Sequence, residues 1–223
     1  MERIPEPELM LDEAQARAYA EADFEAPHAR VVELFRESFP DWSGRGAVLD
    51  LGCGPGDISL RFAVAYPYCQ VDGVDGSEAM MAAGRGRIQA SGLDTRVRLH
   101  KALLPTDAAP RPLYDAVISN SLLHHLHEPQ VLWSAVNRYA ADGAPVFIID
   151  LLRPDSLTEA RMLCDRYADG EPEVLRQDFF HSLCAAFTLE ELHAQLRSAG
   201  LDYLEASAVS DRHCMIRGRL RRS

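Results

Sequence analysis

The stretch "VLDLGCGPGDISL", residues 48–60, decides how this chain is read. An apolar run broken only by Asp50 leads into glycines at 52, 54 and 56, and helix-forming residues follow from Ile58. A strand, a glycine turn and a helix start place backbone N–H groups and a close-approach surface at the carboxyl edge of a sheet. A dinucleotide site of this type takes G-x-G-x-x-G, with its third glycine at position 57. Here position 57 is Asp, and the pattern is G-x-G-x-G. Asp50 discriminates further, because its carboxylate repels a pyrophosphate and attracts an ammonium group. The turn reads as exposed, so a side chain placed at Gly54 should block a ligand at little cost to the fold.

Asp75 lies nineteen positions beyond Gly56 and closes the run "QVDGVD". An acidic side chain there can accept from both hydroxyls of a ribose. A ligand with a ribose, an ammonium group and no phosphate fits S-adenosylmethionine (SAM).

Outward from this motif, short apolar runs recur at 47–51, 70–75, 97–101, 114–120 and 144–150, most of them separated by helical stretches at 58–66, 78–91 and 129–141. Buried strands alternating with helices imply a parallel sheet covered on both faces. Upstream, residues 1–45 read as an N-terminal helical segment of two helices. Asp12 with Gln15 forms a capping box for the first. Pro27 suits the first turn of the second, which carries Val31, Leu34, Phe35 and Phe39 on one face. After Asp150 the pattern breaks for about thirty-five residues, too long for an ordinary connection, so 154–187 reads as an inserted cap. Thr188 and Glu191 form a further capping box before a helix that stops at Gly200, and a closing antiparallel hairpin follows around Ser210-Asp211. The expectation is a single α/β domain over 1–223, a doubly wound, seven-stranded, mostly parallel sheet.

Composition narrows the partners. Apolar residues make up 47 % of the 223 and charged residues 26 %, as expected of a chain that folds. With 23 basic against 34 acidic residues the formal net charge is −11. Such a surface repels phosphate backbones and anionic lipid, so neither nucleic acid nor membrane is an expected partner. The basic end "RGRLRRS" reads as a solvated terminus. The start, "MERIPEPELMLDE", lacks the basic and apolar regions of a signal peptide, and the run "APVFIIDLL" is too short to span a bilayer. Five scattered cysteines with no C-x-x-C pair suggest reduced thiols and a cytoplasmic setting.

Three motifs in order, "VLDLGCGPGDISL", "VDGVDGSEAMM" and "YDAVISNSLLHHLHEP", resemble the class I SAM-dependent methyltransferases of the small-molecule, quinone-biosynthesis-like type, with their Rossmann-like fold. The resemblance covers roughly residues 48–150, and the last helix and hairpin match the family's closing elements. It implies that Asp50 contacts the methionine moiety of SAM and that Gly52, Cys53, Gly54 and Gly56 pack against it. It also implies that Asp75 takes the ribose, that Gly76 and Met80 flank the adenine, and that Asn120 and Ser121 lie beneath the methionine portion. S-adenosylhomocysteine would be the product. Many relatives carry an acidic residue after the third strand, facing the adenine amine. "HKALLP" stands here instead, leaving Ala102 and Leu103 only backbone and apolar contacts. Tyr19, on the first helix, is a further candidate to fold over the cofactor, against ordinary packing.

The sulfonium methyl is already electrophilic, so the protein need mainly align an acceptor and exclude water. His125, in "HHLH", and His181, in the cap, are the candidates to orient or deprotonate that acceptor, since imidazole titrates near neutral pH. No metal is expected, because adjacent histidines rarely point at one ion and no cysteine pair or H-E-x-x-H accompanies them. Asp150 and Arg153 read as an ion pair steadying the exit of the fifth strand, against contact with the substrate, and Phe179, Phe180, Leu183 and Phe187 as cap core. The Asn/Asp-Pro-Pro-aromatic run of base-methylating enzymes is missing, which with the charge favours a small-molecule methyl acceptor. Two alternatives stand beside this reading: an NAD(P)-dependent oxidoreductase of similar architecture, and a non-catalytic SAM-binding regulator whose cavity the cap would block. The oligomeric state is open, with a homodimer as one option.

Overall fold

The structure, a computed structural model, describes residues 1–7, 25–105 and 107–222. Its strands are β1 (Arg45–Leu51), β2 (Tyr68–Asp75), β3 (Val97–Lys101), β4 (Ala116–Asn120), β5 (Pro145–Leu151), β6 (Glu205–Ala208) and β7 (His213–Arg219). They form one sheet in the order β3-β2-β1-β4-β5-β7-β6. The five central strands are parallel, and β7 pairs antiparallel with both β5 and β6. The order reverses between β1 and β4, the switch point where open α/β sheets leave a crevice at the strands' carboxyl ends.

Central strands buried on both faces need two core layers. On one face α1 (Glu25–Ser38) and α2 (Asp57–Ala65) bring Phe35, Phe39 and Phe62 against Val48, Ile118 and Phe147. Phe35 is fully buried, edge-on to both Phe62 and Phe147, and burying such a ring contributes roughly 1.5–3 kcal/mol. The opposite face packs Leu49, Val117 and Ile148 against Trp133 and Val136 of α4 (Gln130–Tyr139) and Leu192 and Leu196 of α7 (Leu189–Ser198). Helix α3 (Glu78–Ala90) crosses between β2 and β3, capped by Ser77 Oγ, which accepts from Met80 N.

Residues 154–187 fold into α5 (Leu157–Tyr167) and α6 (Glu173–Ala185), whose Leu163 and Leu183 make a small core of their own with Leu151. Phe187 belongs instead to the main core, while Phe179 and Phe180 are only partly buried against the cap. Thr188 and Glu191 form the reciprocal capping box of α7. All five cysteines are free and buried. Among the described residues, no helix is long and apolar enough to cross a membrane.

Three expectations change. Arg153 does not pair with Asp150; it bonds Glu191 Oε1 at 2.7 Å, while Asp150 turns to His124. The basic end is tied down, with Arg217 on Glu205, Arg219 on Asp41, and Arg222 donating to the Ala140 and Arg138 carbonyls. At the other terminus, Asp12, Gln15 and Tyr19 lie outside the described residues, but 1–7 are not helical. They form a strap along the cap: Met1 N donates to Asp155 O, Ile4 N to Cys184 O, and Arg3 to the carbonyls of Ala185, His124 and Leu126. The Arg3 guanidinium also stacks on the Phe187 ring at 4.0 Å.

Candidate active site

A cleft of about 1300 Å³ opens at the carboxyl edge of the sheet beside the switch point. The end of β1 and the loop after it contribute Asp50, Gly52, Cys53 and Gly54; the end of β2, its loop and the first turn of α3 contribute Asp75, Gly76 and Met80. Ala102 and Leu103 follow β3, Asn120 ends β4, and Ser121, His124 and His125 follow it. Cap residues Asp178, Phe179, His181 and Ser182 face them, with Glu6 of the strap and His213 of β7. The cap therefore lines the cleft without filling it. Gly56 is the one residue of the predicted loop that does not reach the cleft. It precedes α2 and backs onto Leu99 and Ile88.

Each loop is locked by its neighbours. Asp75 Oδ2 accepts from Gly54 N at 2.8 Å and Oδ1 from Ser77 N at 2.7 Å, so one carboxylate ties the first loop to the start of α3. The glycine loop is buried, not exposed as its sequence suggests. Gly54 has φ +51°, and a Cβ there would sit 3.3 Å from Met80 Cε, so Gly54→Val strains the backbone as well as filling the cleft. Ala102 and Leu103 commit their N–H groups to Asp75 O and Asp107 Oδ2. Ser121 holds a left-handed φ of +56°, uncommon outside glycine and typical of residues pinned at functional sites.

Asp50 is buried at the end of β1 and accepts from Ser59 Oγ at 2.5 Å. Burial drives its pKa up to about 7, with nearby Asp75 adding to the rise and the Ser59 bond opposing it. A buried carboxylate left short of positive charge is suited to receiving a cation.

After β4, a 3-10 turn over Leu123–His125 brings the two imidazoles to the cleft, with ring centroids 4.2 Å apart. Asp150 accepts from His124 Nδ1 at 2.6 Å and from the backbone N–H groups of Leu123 and Leu151. Burial works against its ionisation, but His124 and these donors outweigh it and hold its pKa below the ordinary value. His125 goes the other way. Burial, then the charge of His124, push its pKa to about 3, so it does not titrate near neutral pH as its sequence suggests. Glu6 Oε1 accepts from Ser182 Oγ at 3.0 Å and stands 3.1 Å from His125 Nδ1.

A methyltransferase domain family matches residues 48–143, the span from β1 to the turn before β5. The chain is 28 % identical to the N,N-dimethyltransferase OxyT of Streptomyces rimosus, over 77 % of this chain and 47 % of that protein. A trans-aconitate 2-methyltransferase of Mycolicibacterium gilvum is 38 % identical over a shorter stretch, 36 % of this chain and 28 % of the relative. This chain thus spans about half or less of the length of these two relatives. In fold it follows a SAM-dependent methyltransferase from Aquifex aeolicus, with a TM-score of 0.67 at 18 % identity over 94 % of this chain and 98 % of that one. The chain thus carries a methyltransferase domain match over 48–143 on the fold of a SAM-dependent methyltransferase.

The residues present fit SAM. Its sulfonium and ammonium suit the carboxylate of Asp50, its ribose suits Asp75, and the glycine loop leaves room for close approach. Bound, it supplies an electrophilic methyl group. One further residue beside the glycine loop escapes the sequence motifs. Gly84 of α3 lies so close to the glycine loop that a Cβ would overlap the Pro55 carbonyl oxygen. Alanine favours helix by about 1 kcal/mol, yet this contact is backbone and cannot swing aside. Gly84→Ala should therefore displace the loop and weaken SAM binding about tenfold in calorimetry. Unchanged affinity with a raised Tm would show that α3 can shift without moving the loop.

Proposed function

We propose that this chain is a SAM-dependent methyltransferase that modifies a small-molecule acceptor held between the sheet edge and the cap. The observation that carries this reading is the make-up of the cleft. The SAM-directed carboxylates, Asp50 and Asp75, sit at the carboxyl ends of β1 and β2. The strap, the cap and the loop after β4 add a second polar set, with Glu6, His125, Asp178, His181 and Ser182 facing the same space. A cleft enclosed by a cap suits a small ligand better than a polymer, and the charge of −11 disfavours nucleic acid. The relatives' names, an N,N-dimethyl transfer and trans-aconitate, also point to small molecules. A cleft the cap lines without blocking favours turnover over a purely regulatory role.

Within this reading Asp50, Gly52, Cys53, Gly54, Asp75, Gly76, Met80, Ala102, Leu103, Asn120 and Ser121 surround SAM. His181, exposed on α6, orients the acceptor and takes its proton where one must leave. His125, held neutral, offers a lone pair and not a strong base. The test of the acceptor class is a cell extract incubated with enzyme and SAM carrying a trideuterated methyl group. Label in small molecules supports the reading, and label confined to protein or nucleic acid overturns it. With the acceptor in hand, His181→Ala should lower kcat on the order of a hundredfold, the scale of a lost acid–base group. SAM affinity by calorimetry should stay within about threefold. Full turnover would leave alignment alone as the mechanism.

A further inference from the structure

At the acceptor side of the cleft two imidazoles and a carboxylate converge. The three ligand atoms, one each from Glu6, His124 and His125, lie within 4.8 Å of one another. From the sequence no metal is expected here, because adjacent histidines rarely point at one ion; these two lie on the same side of their turn.

The hydrogen bonds around the cluster fix where its lone pairs point. Both oxygens of Asp150 accept from backbone N–H groups, so in its 2.6 Å contact with His124 the Nδ1 is the donor. Nε2 of His124 then faces Glu6 Oε1 at 3.6 Å, too far for a hydrogen bond. His125 bonds the backbone of Pro7. Proline has no N–H, so the imidazole donates to the Pro7 carbonyl. Its Nδ1 is shut from solvent and has no hydrogen-bond partner, which makes Nε2 the donor and Nδ1 a bare lone pair. Glu6 Oε1 lies 3.1 Å from that nitrogen without the alignment of a hydrogen bond. Two electron-rich atoms at this distance repel unless something positive lies between them.

We propose that Glu6, His124 and His125 form a binding site for a borderline divalent transition-metal ion, Zn2+ in the first instance. Two imidazoles and one carboxylate are a donor set that suits this ion, whereas Mg2+ and Ca2+ take oxygen ligands. A tetrahedral site with bonds of about 2.0–2.1 Å has edges of about 3.3 Å between ligand atoms. The two edges measured to Glu6 Oε1, 3.6 and 3.1 Å, bracket that value. Each ligand also has the outer support such sites use: Asp150 on His124, the Pro7 carbonyl on His125, and Ser182 Oγ on Glu6. The ion would pin the N-terminal strap to the loop after β4. Its fourth position would open to the cleft for water or an acceptor oxygen, and that last clause alone rests on the functional reading above.

The test uses untagged full-length protein stripped with a chelator. Co2+ is titrated in while visible absorption is followed, and Zn2+ is titrated by calorimetry. The expected result is one equivalent of Co2+ with intense low-symmetry absorption that Zn2+ displaces. His125→Ala and Glu6→Ala should each weaken Zn2+ binding by about tenfold or more, with circular dichroism and SAM affinity retained. His124 is buried on Asp150, so it is left intact to protect the fold. A wild-type protein that takes up neither ion saturably overturns the proposal, as does equal Zn2+ affinity in both variants. SAM affinity is read separately, so failure of the metal site leaves the methyltransferase assignment standing, and the converse also holds.

Discussion

Asp50→Asn should make the protein more stable and a poorer binder of SAM. The wild-type carboxyl is buried, and its pKa is raised from 3.8 to about 7. A group whose folded pKa exceeds its unfolded value contributes stability below the unfolded pKa and loses it as pH rises through the folded one. Wild-type stability, measured without SAM, should therefore decline between about pH 4 and 7 and level off above that. A shift of this size corresponds to on the order of 4 kcal/mol between protonated and ionised forms. Asparagine removes that cost and can still accept from Ser59, so at pH 8 the Tm of the variant should rise by about 5 °C or more. SAM binding should move oppositely. Wild-type affinity should climb with pH through about 7 as Asp50 ionises against the ligand's ammonium group. In the variant it should be flat and roughly ten- to a hundredfold weaker at pH 8, the scale of a charged hydrogen bond. Thermal melts and calorimetry across this pH range decide it. Equal affinity in both proteins would remove Asp50 from the cofactor site.

Much of the fold was legible because local chemistry and global packing agree. The run Val97–Lys101 is a strand as its apolar residues suggest, and Thr188 with Glu191 starts α7 through a box that needs only four consecutive residues. The glycine loop, Asp75 and the run ending at Asn120 line one cleft, since each closes a strand at one sheet edge. What stayed hidden depends on contacts between distant positions. Asp150 lies 26 positions from His124, and no pattern in "HHLH" says which imidazole it engages. Glu6 meets Ser182 across 176 positions. Gly84 sits inside a helix pattern, where nothing marks the approach of Pro55. His125 was chosen for an ordinary imidazole pKa, and burial removed it.

Asp75→Ala should have the larger effect on the cofactor, because one side chain performs two tasks. Its oxygens already accept from Gly54 N and Ser77 N, and each carboxylate oxygen has a second lone pair for a ribose hydroxyl. Alanine removes the ribose acceptors and also releases the Gly54 and Ser77 N–H groups of two loops that must meet SAM together. Loss of the ribose bonds alone should weaken binding about ten- to a hundredfold. Release of the loop adds to this, so the variant should bind more than a hundredfold more weakly and melt a few degrees lower. Burial and its two backbone donors act oppositely on Asp75, and burial prevails, lifting the pKa above the ordinary value. Asp75→Asn separates the two tasks. Its carbonyl oxygen can keep one loop contact while its amide cannot accept, so its melting temperature should fall less than that of alanine while ribose recognition is still impaired. A 2′,3′-dideoxy analogue of SAM completes the comparison. Wild type should lose affinity for the analogue relative to SAM, and Asp75→Ala should scarcely distinguish the two. If wild type and variant discriminate equally, Asp75 holds the loop alone, and the ribose is bound elsewhere.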